Sequence, residues 1–179
     1  MRSVDDDRRA RFEEIAPTLM EPLRRYLARR TDAATADDVL ADTLLVCWRR
    51  LDELPEDPLP WAYAVARNCL ANARRGARRQ DRLAARISVV DPPRETVPGP
   101  GEGDDGLAGA LARLRPEDTQ LLHLWAWEQL TAGEIAVVLG VTPNAASIRL
   151  HRAREKLRTE LRKVDAAAGH EESREGRTS

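Results

Sequence analysis

Asn144, Ser147, Ile148, His151 and Arg152 fall on one face of a helix at about 100° per residue. The chemistry they offer is recognition rather than bond breaking. Amide, hydroxyl, imidazole and guanidinium groups hydrogen-bond base edges, and an isoleucine meets a thymine methyl. Arg149, Arg154, Lys156, Arg158 and Lys163 flank that face and suit phosphates. His123, His151 and His170 are scattered, with no nucleophile–base pair, glycine-rich phosphate loop or metal-ligand spacing around them. The chain is therefore expected not to be an enzyme, with no catalytic residue, metal or cofactor.

The neighbouring residues show how such a helix is positioned. Thr131 and Glu134 form a T-x-x-E capping box, each side chain satisfying an amide of the other residue's turn. Ile135, Ala136, Val138 and Leu139 follow as an apolar stripe, and Gly140 stands where the first helix must stop and turn. Thr142 is a good N-cap and Pro143 fits the first helical position, where its missing N–H costs nothing. Ala146, Leu150, Ala153 and Leu157 make the line that packs inward. Together these are the signature of a helix-turn-helix whose second helix enters a DNA major groove. An ordinary amphipathic helix with a solvated basic face would explain the charge but not these start and stop signals.

A second candidate contact lies in Trp61–Gln80, which follows the proline-rich loop Leu51–Pro60. Arg67, Asn68, Arg74 and Arg75 make its surface basic, with Tyr63 nearby. Basic groups interleaved with aromatic rings suit single-stranded DNA, whose bases stack while its phosphates are neutralised. Trp61, Val65, Cys69 and Asn72 repeat at a spacing that predicts an inward stripe. Trp61 reads equally as core or as DNA contact. A third candidate is the helix starting near Thr35. Leu40, Leu44, Cys47 and Leu51 line one face of it, and Asp38, Asp42, Leu45 and Arg49 the other. A leucine among carboxylates is either a solvated residue or a docking face for a protein helix.

Alanine, leucine and arginine dominate the 179 residues, and β-branched runs are scarce, so the chain reads as all-α. Its formal net charge is only −1, but the charge is segregated. Residues 1–60 carry a net −4, residues 61–86 +6, residues 91–106 −4 and residues 142–163 +5. Two basic patches between acidic segments predict two nucleic-acid contacts and a separate protein contact. Residues 8–30 place Phe12, Ile15, Leu19, Leu23 and Tyr26 on one helical face. The prolines, glycines and acids from Asp91 to Gly106 cannot build a core and read as a flexible acidic linker. The organisation expected is a helical domain over 8–80, a linker over 81–106, a second helical domain over 107–163 and a frayed polar tail over 164–179. Cys47 and Cys69 read as buried thiols, with a disulfide between them as the lesser alternative. The charged start has no apolar segment of a secretory signal, and no stretch approaches a membrane span.

On these residues the chain resembles bacterial RNA polymerase sigma factors of the sigma-70 family, extracytoplasmic-function (ECF) type. ADDVLADTLLVCWRRLDEL (Ala36–Leu54) looks like region 2.2, PWAYAVARNCLANARR (Pro60–Arg75) like regions 2.3 and 2.4, and Ala110–Glu155 like region 4. The resemblance implies two small helical domains and a cytoplasmic protein that binds core polymerase and directs it to promoters. It assigns Asp38, Asp42, Leu45 and Arg49 to the clamp helices of the β′ subunit. It assigns Trp61, Tyr63, Arg67, Asn68, Asn72, Arg74 and Arg75 to the −10 element, with a flipped-base pocket in the Leu51–Pro60 loop and the start of the Trp61 helix. Asn144, Ser147, Ile148, Arg149, His151, Arg152 and Arg154 go to the −35 element, and the second domain to the β flap. The implied partners are core polymerase, promoter DNA and, as relatives commonly have, an anti-sigma factor; no membrane is implied. Many relatives carry Asp where this chain has Asn72, a charge lost beside the −10 contacts; many carry Lys or Arg where it has Ser147, so the −35 preference does not transfer. The alternative, a stand-alone helix-turn-helix regulator, leaves the first domain and its arginine-rich helix unexplained.

Overall fold

The protein is described by a computed structural model covering residues 4–87 and 105–175. Within these residues the chain forms α-helices and one short 3-10 turn, with no strand. The helices are α1 (Val4–Ala28), α2 (Ala33–Arg49), α3 (Leu59–Ile87), α4 (Asp105–Ala112), α5 (Pro116–Ala126), α6 (Ala132–Leu139) and α7 (Pro143–Glu175); the 3-10 turn is Leu51–Glu53. One compact unit carries α1–α3 and a second carries most of α4–α7.

In the first unit each helix packs on the other two. The stripe expected on α1 goes inward: Leu19, Leu23 and Tyr26 are buried, joined by Leu27. Asp32 caps α2 by accepting the Thr35 amide at 3.0 Å, and that bond holds its carboxyl below the ordinary carboxylate range. Val39, Leu40, Thr43 and Cys47 of α2 enter the same core, with Leu51 from the 3-10 turn. The buried Thr43 hydroxyl is satisfied by donating to the Val39 carbonyl at 2.7 Å.

Helix α3 departs from its expected inward stripe. Ala62, Tyr63, Ala66 and Leu70 are buried, whereas Trp61, Val65 and Cys69 are half-buried and Asn72 is exposed. Two fully buried alanines let the α3 backbone approach its neighbours closely. That rotation sends Tyr63 against Tyr26, ring centroids 5.1 Å apart. The helix also passes the boundary read at Gln80 and runs to Ile87. Of the expected linker, residues 88–104 lie outside the described residues, and α4 already begins at Asp105.

In the second unit α4 and α5 pack along α7. Ala110, Leu121, Leu122, Leu124, Ile135, Ala146, Leu150 and Ala153 are buried there. Pro116 opens α5, with Glu117 and Asp118 in its first turn, where carboxylates favour the positive end of the helix dipole. Helix α7 runs on to Glu175, into the tail segment expected to fray from Asp165. Ala166, Ala167, Ala168, Glu171 and Glu172 favour the helix there, against the cost of Gly169 between them. Residues 176–179 of that tail lie outside the described residues.

Candidate nucleic-acid and partner interfaces

The helix-turn-helix signals read from sequence are all made. The Thr131 amide donates to the Glu134 carboxylate at 2.6 Å, and the Glu134 amide donates to the Thr131 hydroxyl at 3.3 Å. At the end of α6 the Val141 amide reaches the Ala136 carbonyl at 3.0 Å and the Gly140 amide the Val137 carbonyl at 3.3 Å. This is a Schellman closure, and Gly140 carries its left-handed residue at φ +65°. The Ala145 amide donates to the Thr142 hydroxyl at 3.2 Å, so Thr142 caps α7 and Pro143 starts it.

These caps fix which side of α7 faces out. Ala146, Leu150 and Ala153 are buried, and Asn144, Ser147, Ile148, Arg149, His151 and Arg152 are all exposed. Ile148 keeps 44% of its surface in water, a large apolar group on an otherwise polar face. Arg154 is set apart from the others. It is half-buried, its guanidinium carbon 4.6 Å from the centroid of the Trp125 ring on α5. The flanking cations are also engaged: Lys156 pairs with Asp118, Arg158 with Glu155 and Lys163 with Glu160. Arg149 and Arg152 remain exposed on α7.

On α3, Trp61, Asn68, Asn72, Arg75 and Arg79 follow one line, at about 100° per residue. Asn68, Asn72 and Arg75 are exposed, and Asn72 accepts a bond from Arg75. Arg74 is exposed but donates to the carbonyl of Arg30, and Arg67 is half-buried. Tyr63 is a correction: at 2% exposure it offers no ring for a base to stack on. Trp61 keeps an open side, with the Arg50 guanidinium 5.8 Å from its ring centroid. The 3-10 turn leads from α2 toward the loop before α3. Arg50, just before the turn, pairs with Glu53 at its end, and Asp57 accepts the Leu59 amide at 3.3 Å.

On α2, Asp38, Asp42, Leu45 and Arg49 are all exposed along one line, Leu45 by 44%. Cys47 is buried, as expected, but Cys69 only half so, and both are free thiols. Burial pushes the Cys47 thiol up to about 11 and also raises that of Cys69. No group of three or more His, Cys, Asp or Glu among the described residues could hold a metal ion. No helix among them is long and apolar enough to cross a membrane.

Some contacts had no signal in the sequence. Arg8 bonds Asp52 and the Trp48 carbonyl, and Arg154 lies against Trp125. The partners are 29 or more residues apart, with nothing periodic to link them.

Family comparisons match both helical units. The family model described as Sigma-70 region 2 matches residues 12–80, and that described as Sigma-70, region 4 matches residues 105–157. The ECF RNA polymerase sigma factor SigL of Mycobacterium tuberculosis is 31% identical over 162 residues, covering 87% of this chain and 89% of SigL. The RNA polymerase sigma factor CarQ of Myxococcus xanthus is 29% identical over 161 residues, covering 86% of this chain and 91% of CarQ. The fold resembles that of the sigma factor RpoE in its co-crystal with the anti-sigma factor NepR from Bartonella quintana. The TM-score is 0.58 at 18% identity, over 84% of this chain and 96% of that one.

Proposed function

The chain belongs to the ECF sigma factors of the sigma-70 family, and from that premise we propose how its residues divide promoter recognition between them. As a member of the family it is an initiation factor that binds core RNA polymerase and brings it to promoter DNA. The stand-alone regulator is not favoured, since it would not account for the region 2 match over residues 12–80.

The observation that carries the reading is the outward face of α7, where Asn144, Ser147, Ile148, His151 and Arg152 stand exposed on a helix capped at its start and turned by Gly140. This face reads the −35 element: polar groups meet base edges and Ile148 meets a thymine methyl. Arg149 binds phosphate, and Arg154 contributes from its place beside Trp125.

The α3 line of Trp61, Asn68, Asn72 and Arg75 holds the opened −10 strand, with Arg67 and Arg74 on its flank. The loop from Leu51 to Pro60 receives the flipped base. Extrusion costs a few kcal/mol, which the pocket must recover. The exposed α2 line of Asp38, Asp42, Leu45 and Arg49 docks on the β′ clamp helices, Leu45 supplying the apolar centre and the charges its rim. The second unit also touches the β flap. Residues 8–80 thus serve the −10 element and core, and residues 107–163 the −35 element. The segment between them tethers two weak contacts into one tight one. Bond formation belongs to the polymerase; this chain supplies no catalytic group and needs no cofactor. It works in the cytoplasm, and an anti-sigma factor covering both units would silence it.

The test is run-off transcription with purified core polymerase and a library of host promoter fragments, with and without this protein. Discrete transcripts that need both components are expected, and they define both promoter elements. Their absence, with folded protein and active core, would return the assignment to a DNA-binding regulator.

A further inference from the structure

We propose that Arg8, at the start of α1, is a positioning residue for the loop that receives the −10 base. The inference rests on the reading of Leu51–Pro60 given above. Arg8 carries three contacts to one short segment. One guanidinium nitrogen donates to the Asp52 carboxylate, the other donates to the Trp48 carbonyl at 3.2 Å, and the guanidinium carbon lies 5.6 Å from the Trp48 ring centroid. Two neighbours on α1 reinforce the same target. Arg11 stands 4.0 Å from the second oxygen of Asp52, and Phe12 meets the Trp48 ring edge-on at 5.4 Å. The first two turns of α1 thus converge on Trp48–Asp52, where α2 ends and the 3-10 turn begins.

That convergence lies apart from the fully buried anchors of α1. The fully buried anchors of α1 are Leu19, Leu23, Tyr26 and Leu27, beginning several turns after Arg8. Arg50, which opens the 3-10 turn, approaches Trp61 at the start of α3. Arg50 bonds Glu53 at 2.9 Å and lies 5.8 Å from the Trp61 centroid. The segment Trp48–Glu53 thus meets α1 through Trp48 and Asp52 and approaches Trp61 through Arg50. A loop that must seize an extruded base gains from being ordered before the base arrives, because ordering it on contact subtracts from binding. Arg8 suits this task better than a lysine would. Its planar fork serves a carboxylate and a carbonyl at once, which one ammonium does less well.

The experiment uses full-length chain assembled with core polymerase, and duplex promoters that differ at single −10 positions. For each variant the ratio of transcript from the best −10 sequence to that from each substituted one is measured. Arg8→Ala is expected to narrow that ratio by about threefold, the scale of a partly exposed ion pair, while co-elution with core stays unchanged. Arg8→Lys should fall between. The exchange Arg8→Asp with Asp52→Arg should recover part of the ratio, a pattern that loss of fold would not produce. Melting curves accompany each variant. If Arg8→Ala lowers transcript equally from every promoter, or only lowers the melting temperature, the positioning role is overturned. A loop variant with Pro55, Glu56 and Asp57 all changed to glycine separates the two layers. If it abolishes −10 discrimination while Arg8→Ala does not, only the role of Arg8 fails. If it too leaves discrimination intact, the loop assignment fails and the role of Arg8 with it.

Discussion

Tyr63 lies against Tyr26, ring centroids 5.1 Å apart and planes inclined at 48°. Both rings are almost wholly buried between α1 and α3. Two residues earlier, Trp61 stays half open to solvent. Tyr63 thus serves the fold, while Trp61 keeps the accessible surface that the proposed DNA contact requires. Tyr63→Ala should therefore cost about 3–5 kcal/mol of stability, as emptying a large core site does. Trp61→Ala should cost less stability but slow promoter opening. Urea titration of the free protein and open-complex formation by the holoenzyme separate the two effects. Equal stability losses would put both rings in the core.

The α2 face offers a cleaner separation of folding from docking. Asp38 and Asp42 are exposed and one turn apart, and Val39, Leu40 and Thr43 between and beside them are buried. Reversing both charges, Asp38→Arg with Asp42→Arg, leaves that packing untouched, so the circular dichroism spectrum should not change. Binding to core polymerase should be lost, because like charges across an interface are strongly disfavoured. Retained co-purification would remove these residues from the contact.

On α7 the exposed and engaged cations should behave differently. Arg152→Ala should weaken −35 recognition by about 1–3 kcal/mol and relax preference at one base pair, if that fork reads a base. Arg149→Ala should weaken all promoters alike and lower the salt slope of holoenzyme binding by about one. Lys156→Ala should leave that slope unchanged, since Lys156 already pairs with Asp118. Filter binding across a salt series distinguishes the three. A slope change with Lys156→Ala would mean that its ion pair opens on DNA.

What the sequence revealed follows from the range of the forces involved. The caps of Thr131, Glu134, Thr142 and Gly140 act within one or two turns, so they were legible and the structure makes each bond. The outward faces of α2 and α7 follow from periodicity and one unambiguous inward stripe. Helix α3 departs from its hydrophobic periodicity because its inward stripe is partly alanine. Ala62 and Ala66 carry little hydrophobic signal, while Trp61, Val65 and Cys69 carry more and sit on the boundary. The engagement of Lys156 with Asp118 and of Arg8 with Asp52 was invisible, because exposed ion pairs between distant helices depend on tertiary approach alone. Net charge by segment located the basic regions but could not say which cations were already paired.

Cys47 gives a pH signature. Its thiol is buried on α2, and burial, with a smaller contribution from Cys69, raises its pKa from an ordinary 9.0 to about 11. The folded protein thus holds this proton more tightly than the unfolded chain. The corresponding stability is fully present below about pH 9 and is lost as the pH climbs toward 11, where the unfolded thiol ionises first. Other groups titrate in the same window, so the informative quantity is a difference. Urea midpoints of the wild type and of Cys47→Ala, measured in reducing buffer from below the ordinary 9.0 up toward about 11, should converge as pH rises. At neutral pH the buried thiol should also alkylate more slowly than Cys69, which is only half-buried. A constant difference between wild type and variant across the range, or faster alkylation of Cys47, would show that the thiol is not held protonated by its burial.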